Sequence, residues 1–124
     1  MFIKIDFDSS EAIYRQLCRQ IIHGIATSEL AEGESLPSVR DLAEEIGINM
    51  HTVNKAYSIL REEGFLTVDR RRGAVVFVNC EKMKAMQDLR SDLTAALAKA
   101  SCKGISREEV HAVIDELYEE YGCS

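Results

Sequence analysis

The sequence predicts an α+β fold, mainly α: a winged helix-turn-helix domain over residues 1–79, then a C-terminal helical hairpin over residues 80–124 that would serve dimerisation. Three observations carry that expectation. Residues 36–57, L-P-S-V-R-D-L-A-E-E-I-G-I-N-M-H-T-V-N-K-A-Y, read as two short helices joined by a tight turn. F-L-T-V-D at 65–69, R-R-R-G at 70–73 and A-V-V-F-V at 74–78 read as a strand, an arginine-rich turn and a return strand. After Asn79 the pattern becomes apolar residues at three- and four-residue steps, broken at Gly104.

In chain order, residues 1–7 alternate, with Ile3, Ile5 and Phe7 on one side and Lys4 and Asp6 on the other, as a short extended segment would. Asp8 precedes Glu11 by three residues, the spacing of a capping box, ahead of a first helix from about residue 9 to residue 28. Ile13, Leu17, Ile21 and Ile25, flanked by Tyr14, Cys18 and Ile22, give that helix a wide apolar stripe. Residues 29–37 read as a loop, and the only proline, Pro37, sets an extended entry to the second helix.

Ser38 stands where a helix N-cap belongs, Asp41 complements the helix N-terminus, and Leu42, Ala43 and Ile46 form the apolar face. Gly47 suits the left-handed residue after a helix, and Asn49 can cap the next one, whose inward residues are Val53, Ala56, Tyr57 and Leu60. That helix should run to about Glu63 and end at Gly64. Left outside are Met50, His51, Thr52, Asn54 and Lys55: short or medium side chains and one cation at an exposed helix start. A helix that reads base edges in the major groove has this layout, and Arg70, Arg71 and Arg72 beside it would touch phosphates or enter the minor groove.

In the tail, Met83, Met86, Leu89, Leu93, Ala96, Leu97 and Ala100 share one side of a helix over 81–101. Ser106 and Glu109 form a capping box for a helix over 107–121, with Val110, Val113, Ile114, Leu117, Tyr118 and Tyr121 turned inward. A segment this short cannot bury such faces by itself, so the tail is expected to pack on a second copy and make a homodimer.

At 46% hydrophobic and 29% charged the composition is that of a globular chain, not a disordered one. The net charge is −6, shared equally: nine Lys and Arg against twelve Asp and Glu up to residue 79, six against nine beyond it. An acidic total opposes a nucleic-acid partner unless the cations are grouped. Here Arg40, Lys55 and the arginine run fall on the reader and wing, while Glu44, Glu45, Glu62 and Glu63 lie toward helix ends expected to point elsewhere. The same balance keeps a second class in view, a winged helix that binds proteins. An enzyme is excluded by the lack of any nucleophile triad, metal motif or phosphate-cradling glycine loop. No cofactor and no metal are expected. Cys18, Cys80, Cys102 and Cys123 are irregularly spaced without C-x-x-C, which suits free thiols, with Cys18 a small core residue. No run of eighteen apolar residues and no signal-peptide pattern occur, so the expectation is a cytoplasmic protein with no membrane partner.

This order of elements resembles the GntR family of bacterial transcription regulators. A-I-Y-R-Q-L at 12–17 looks like the family's opening helix, with Ala12 where proline is usual. G-E-S-L-P-S-V-R-D-L-A at 33–43, G-I-N-M-H-T-V-N-K-A-Y at 47–57 and L-R-E-E-G-F-L at 60–66 are similar to its motifs in the same order, and the likeness covers residues 10–78. The two-helix tail resembles the YtrA-like subfamily, which dimerises through a small tail in place of a large effector domain. The resemblance implies a homodimer on a palindromic double-stranded DNA operator, usually as a repressor and often beside transporter genes. It implies DNA contacts at Arg40, Asn49, Met50, His51, Thr52 and Asn54 and at the wing tip, Arg71 to Gly73; the reading of the residues adds Ser38, Lys55 and Arg70. Met50 and Asn54 stand where other members often carry arginine, and Arg71 replaces the first glycine of a common G-x-G wing. Base preference is therefore not transferable, and more of the binding falls to the wing. A small-molecule effector, if the protein has one, would be held in the dimer seam or against the reader domain.

Overall fold

The computed structural model describes residues 3–121, and the chain divides into two units, residues 1–79 and 80–124. The first unit contains α1 (Ile13–Ala26), α2 (Val39–Ile46), α3 (Met50–Glu62), β1 (Leu66–Asp69) and β2 (Gly73–Val76). The strands are antiparallel, with Leu66 opposite Val76 and Asp69 opposite Gly73. Helix α3 packs against α1, α2 and β1 and is the hub of the unit. Its buried residues are Val53, Ala56, Tyr57 and Leu60, the inward set its spacing predicts. Leu17 and Ile21 of α1, Leu42 and Ala43 of α2, Leu66 and Val76 of the hairpin, and Leu30 and Leu36 of the intervening loop close around them. Burying each large aliphatic side chain contributes roughly 1.5–3 kcal/mol, so this cluster is the unit's main source of stability. The Tyr57 hydroxyl donates to the Pro37 carbonyl at 2.8 Å, which satisfies a buried phenol and ties the entry of α2 to α3.

The turn between α2 and α3 is built as its residues dictate. Ser38 Oγ accepts the Asp41 N–H at 3.1 Å at the start of α2. Gly47 adopts φ 71°, a left-handed conformation that strains any residue with a Cβ, and so reverses the chain in a single step. Asn49 Oδ1 then accepts the His51 N–H at 2.7 Å and starts α3. At the far end the N–H groups of Gly64 and Phe65 donate to the carbonyls of Arg61 and Leu60 at 3.2 and 2.8 Å, a Schellman closure that turns the chain into β1.

Three local expectations are corrected. Helix α1 starts at Ile13, later than expected, and Asp8 does not cap it. Residues 6–11 form turns, with the Asp8 N–H on Asp6 Oδ1 and the Glu11 N–H on Ser9 Oγ, both at 3.0 Å. The cause is Gln16, which sits in the middle of the supposed apolar stripe at 2% exposure, while Ile13 and Ile25 at its ends are half-buried. Gln16 Oε1 accepts the Asp6 N–H, and Gln16 Nε2 donates to the carbonyls of Asp6 and Glu11, all at 2.9 Å. One turn on, Gln20 treats Lys4 the same way, accepting its N–H at 2.8 Å and donating to its carbonyl at 2.6 Å. Two amides on one face of a helix thus hold residues 4–6 as a neighbouring strand would, and the chain must turn before Ile13 to deliver those groups.

The second correction concerns residues 29–37, which are more than a loop. The N–H groups of Gly33 and Leu36 donate to the carbonyls of Val76 and Ala74 at 2.7 and 2.8 Å, and the Val76 N–H donates to the Glu34 carbonyl at 2.9 Å. β2 is therefore hydrogen-bonded along both edges, which matters because an isolated hairpin is marginal in water. Third, β2 ends at Val76, short of Val78, although the N–H groups of Phe77 and Asn79 still reach the carbonyls of Phe65 and Gly64.

The second unit contains α4 (Lys82–Cys102) and α5 (Arg107–Tyr121). The turn between them closes through the N–H groups of Gly104 and Ile105 on the carbonyls of Ser101 and Ala100. Ser106 and Glu109 make the expected capping box, each N–H donating to the other's side chain at 3.1 Å. Among the described residues the two helices do not pack along their lengths, and apart from the half-buried Ala100 and Val110 their apolar residues are exposed. Met83 is 78% exposed, and Leu89, Leu93, Leu97, Val113 and Leu117 are all open. No helix among the described residues is long and apolar enough to cross a membrane.

Replacing Gln16 with Leu would strand the polar groups of Asp6 and Glu11 against an apolar surface. A loss of about 1–3 kcal/mol is expected in urea unfolding, with a smaller loss for Gln20→Leu, whose site is more open to water.

Candidate nucleic-acid interface

The outer side of the reader emerges from its caps. Because Val53, Ala56 and Tyr57 are buried, Met50, His51, Asn54 and Lys55 are exposed and Thr52 is half-buried. Asn49 uses its carbonyl oxygen as the cap, which leaves its amide NH2 group outward. Met50, His51, Thr52 and Asn54 make no side-chain hydrogen bond or ion pair among the described residues. Lys55 is different: its ammonium lies 3.9 Å from the centroid of the Tyr14 ring on α1, and the Arg15 guanidinium lies 5.6 Å from the same ring. Tyr14 thus gathers two cations at the flank of α3 and sets Lys55 apart from the unengaged side chains of its first turn. At the start of α2, Ser38 is engaged as a cap, while Arg40 is exposed and makes no ion pair among the described residues.

The wing tip is organised by an acid. Asp69 Oδ1 accepts the backbone N–H groups of Arg71 and Arg72 at 2.8 and 3.2 Å. These two bonds, with the Arg72 charge nearby, hold its carboxyl below the usual carboxylate range. Gly73, at φ 75°, returns the chain into β2, a conformation that favours glycine. The three arginines differ in role. Arg72 donates from its guanidinium to the Gly33 carbonyl and braces the tip against the loop before α2. Arg70 and Arg71 are exposed, and their side chains have no partner among the described residues.

A cavity of about 260 Å³ lies between α3, the entry to α2 and the wing, with Ser38, Asn54 and Gly73 among its walls. The cap of α2, the outer face of α3 and the root of the wing tip therefore open onto one groove, which brings three of the candidate elements to the same side of the unit. Arg61, Ser58 and Thr67 also line it. Arg61 and Ser58 are absent from the sequence-derived candidates, although positions 54, 58 and 61 follow the i, i+4, i+7 rhythm of one helix face. Asp69 and Tyr14 are absent from them too; an Asp directly before R-R-R-G is an Asx-turn signal. Cys18 is half-buried, with its Sγ on the Ala56 carbonyl at 3.6 Å, and burial raises its thiol pKa, as suits an inert core residue. Cys102 is a free thiol, and Cys123 lies outside the described residues.

Residues 11–76 match the family described as bacterial regulatory proteins, gntR family. The chain is 33% identical to the HTH-type transcriptional repressor YtrA of Bacillus subtilis over 93% of its own length and 91% of that protein. Among solved structures it is similar to YtrA from Sulfolobus acidocaldarius, a GntR-family transcription factor, with 42% identity and a TM-score of 0.64 over 95% of this chain and 97% of that one. A transcriptional antiterminator from Listeria monocytogenes EGD-e matches with a TM-score of 0.86 at 28% identity, covering 98% of this chain and 92% of that one. With its helix-turn-helix, its wing and this extent of likeness, the chain belongs to the GntR family and is a DNA-binding transcriptional regulator rather than an enzyme.

Proposed function

We propose that the chain is a cytoplasmic repressor that acts as a homodimer on a palindromic operator, with residues 1–79 as the DNA-binding domain and residues 80–124 as the dimerisation tail. One observation carries the reading: the partnerless Asn54 of α3, the cap Ser38 of α2 and Gly73 at the root of the arginine tip line a single groove. In this reading Met50, His51, Thr52 and Asn54 meet base edges in the major groove, and the amide of Asn49 lies beside them. Ser38, Arg40 and Lys55 hold the backbone, and Arg70 and Arg71 reach the minor groove or its phosphates, with Arg72 and Gly73 shaping the tip. Two copies joined by their open α4 and α5 faces place two readers about one helical turn apart. Occupancy of the site then excludes polymerase or blocks its escape. Because YtrA of Bacillus subtilis is named a repressor, repression is the sign proposed, and a transporter operon is the proposed target. An effector, if the regulator answers to one, binds the seam between tails or the reader domain.

DNA from upstream of the chain's own gene is the probe. Its affinity should fall with salt on a log–log plot, and Arg70→Ala with Arg71→Ala should flatten the slope by about 2. A slope of zero for the unmodified chain would remove the electrostatic basis of the reading. Sedimentation should show a dimer. Leu93→Asp with Leu97→Asp should yield monomers whose operator affinity is lower by on the order of a hundredfold, since each half-site is then bound alone. Asp69→Asn keeps the acceptor for the tip but removes a negative charge that faces the duplex, and should tighten binding a few-fold at low salt. Since the Asp69 carboxyl is depressed in the folded state, its hold on the tip persists through neutral and mildly acidic pH. It is lost only as pH falls through that lowered value.

A further inference from the structure

The groove between reader and wing has a chemistry of its own. Asn54, Ser58 and Arg61 line one wall from successive turns of α3, and Thr67 lines the other from β1. Arg61 is exposed, and its guanidinium makes no ion pair and no hydrogen bond among the described residues; the Ser58 and Thr67 hydroxyls are equally unengaged. No carboxylate lines the groove. In a chain of net charge −6, a groove with apolar walls whose unengaged polar groups are one arginine, two hydroxyls and one carboxamide, with no acid, favours an anion at that polar end.

Geometry says which anion. A reader in the major groove and a wing at the adjacent minor groove must straddle the sugar–phosphate strand that divides the two. In this fold the space between reader and wing is the cavity of about 260 Å³. A guanidinium fork matches two oxygens of one phosphate, and flanking hydroxyls can donate to a third. We propose that this cavity is a phosphate site built on Arg61, which seats a backbone phosphate of the strand running between the two grooves. The assignment rests on the proposed DNA-binding mode and adds a positioning residue at the far end of the reader helix. A phosphate there fixes how deeply the helix enters and the angle at which the wing follows, independent of base sequence.

The test uses the full-length chain and two duplexes, one from upstream of its gene and one of mixed sequence. Arg61→Ala should weaken both about tenfold and flatten the salt slope by about 0.9. Arg61→Lys should restore the slope but only part of the affinity, because an ammonium lacks the fork. Thr67→Asp, which repels the same phosphate from the opposite wall, should weaken both duplexes as well, and thermal melts of the variants should match the parent. A parallel titration with inorganic phosphate separates the two sources of the ligand. Saturable binding lost in Arg61→Ala, with DNA affinity unchanged, assigns the site to a free phosphate compound; loss confined to DNA assigns it to the backbone. Parental DNA affinity and slope in Arg61→Ala, together with no phosphate binding, overturns the proposal while the operator reading stands. A parent chain that binds neither duplex overturns the operator reading, and the site then stands or falls on the inorganic phosphate result.

Discussion

The structure depends on a single allocation: α3 has only one face to bury. Val53, Ala56, Tyr57 and Leu60 fill the space among α1, α2 and the hairpin, and with 3.6 residues per turn the side chains between them have nowhere to go but outward. Met50, His51 and Asn54 are therefore displayed as a consequence of packing. The caps at Ser38 and Asn49 and the left-handed step at Gly47 set where the display begins. Changing the buried set would rotate the exposed set with it, so stability and recognition are two readings of one helical register.

Charge is managed by position, against the total. The chain carries twenty-one acids and fifteen bases, yet the groove between reader and wing has a cation and no acid on its walls. The one carboxylate at the wing tip, Asp69, is occupied in holding the backbone of the arginines that come after it. An acidic body of this kind damps non-specific attraction to DNA while leaving that groove free of short-range repulsion toward an anion. In such a regulator, discrimination among sites rests on close contacts more than on the long-range field.

Legibility in the sequence tracks the range of the forces. Local signals are readable: the caps at Ser38 and Asn49, the Ser106–Glu109 box, the left-handed glycine and the inward set of α3 all depend on neighbours within four residues. The features that escape it join distant parts of the chain. Gln16 is an ordinary polar position until residues 4–6 are seen lying along α1, and residues 33–36 read as a loop because their partner is a strand some forty positions away. Lys55 reads as a free cation, and only the approach of α1 to α3 brings Tyr14 beneath it. The residues on the outer turn of α3 are nameable because exposure on a capped, amphipathic helix is itself a local property. The division of work among the three wing arginines is not, since it turns on the Gly33 carbonyl.

The double pairing of β2 has a mechanical consequence. Its second neighbour, residues 33–36, runs straight into Pro37 and Ser38, where the Tyr57 hydroxyl fastens it to α3. Wing, loop and reader form a closed linkage, with Arg72 as a cross-strut from the tip back to Gly33. A displacement of the wing is therefore passed through these hydrogen bonds to the entry of α2 and to α3. Lengthening that loop would uncouple the two, so its length acts as a gauge for the distance between wing and reader.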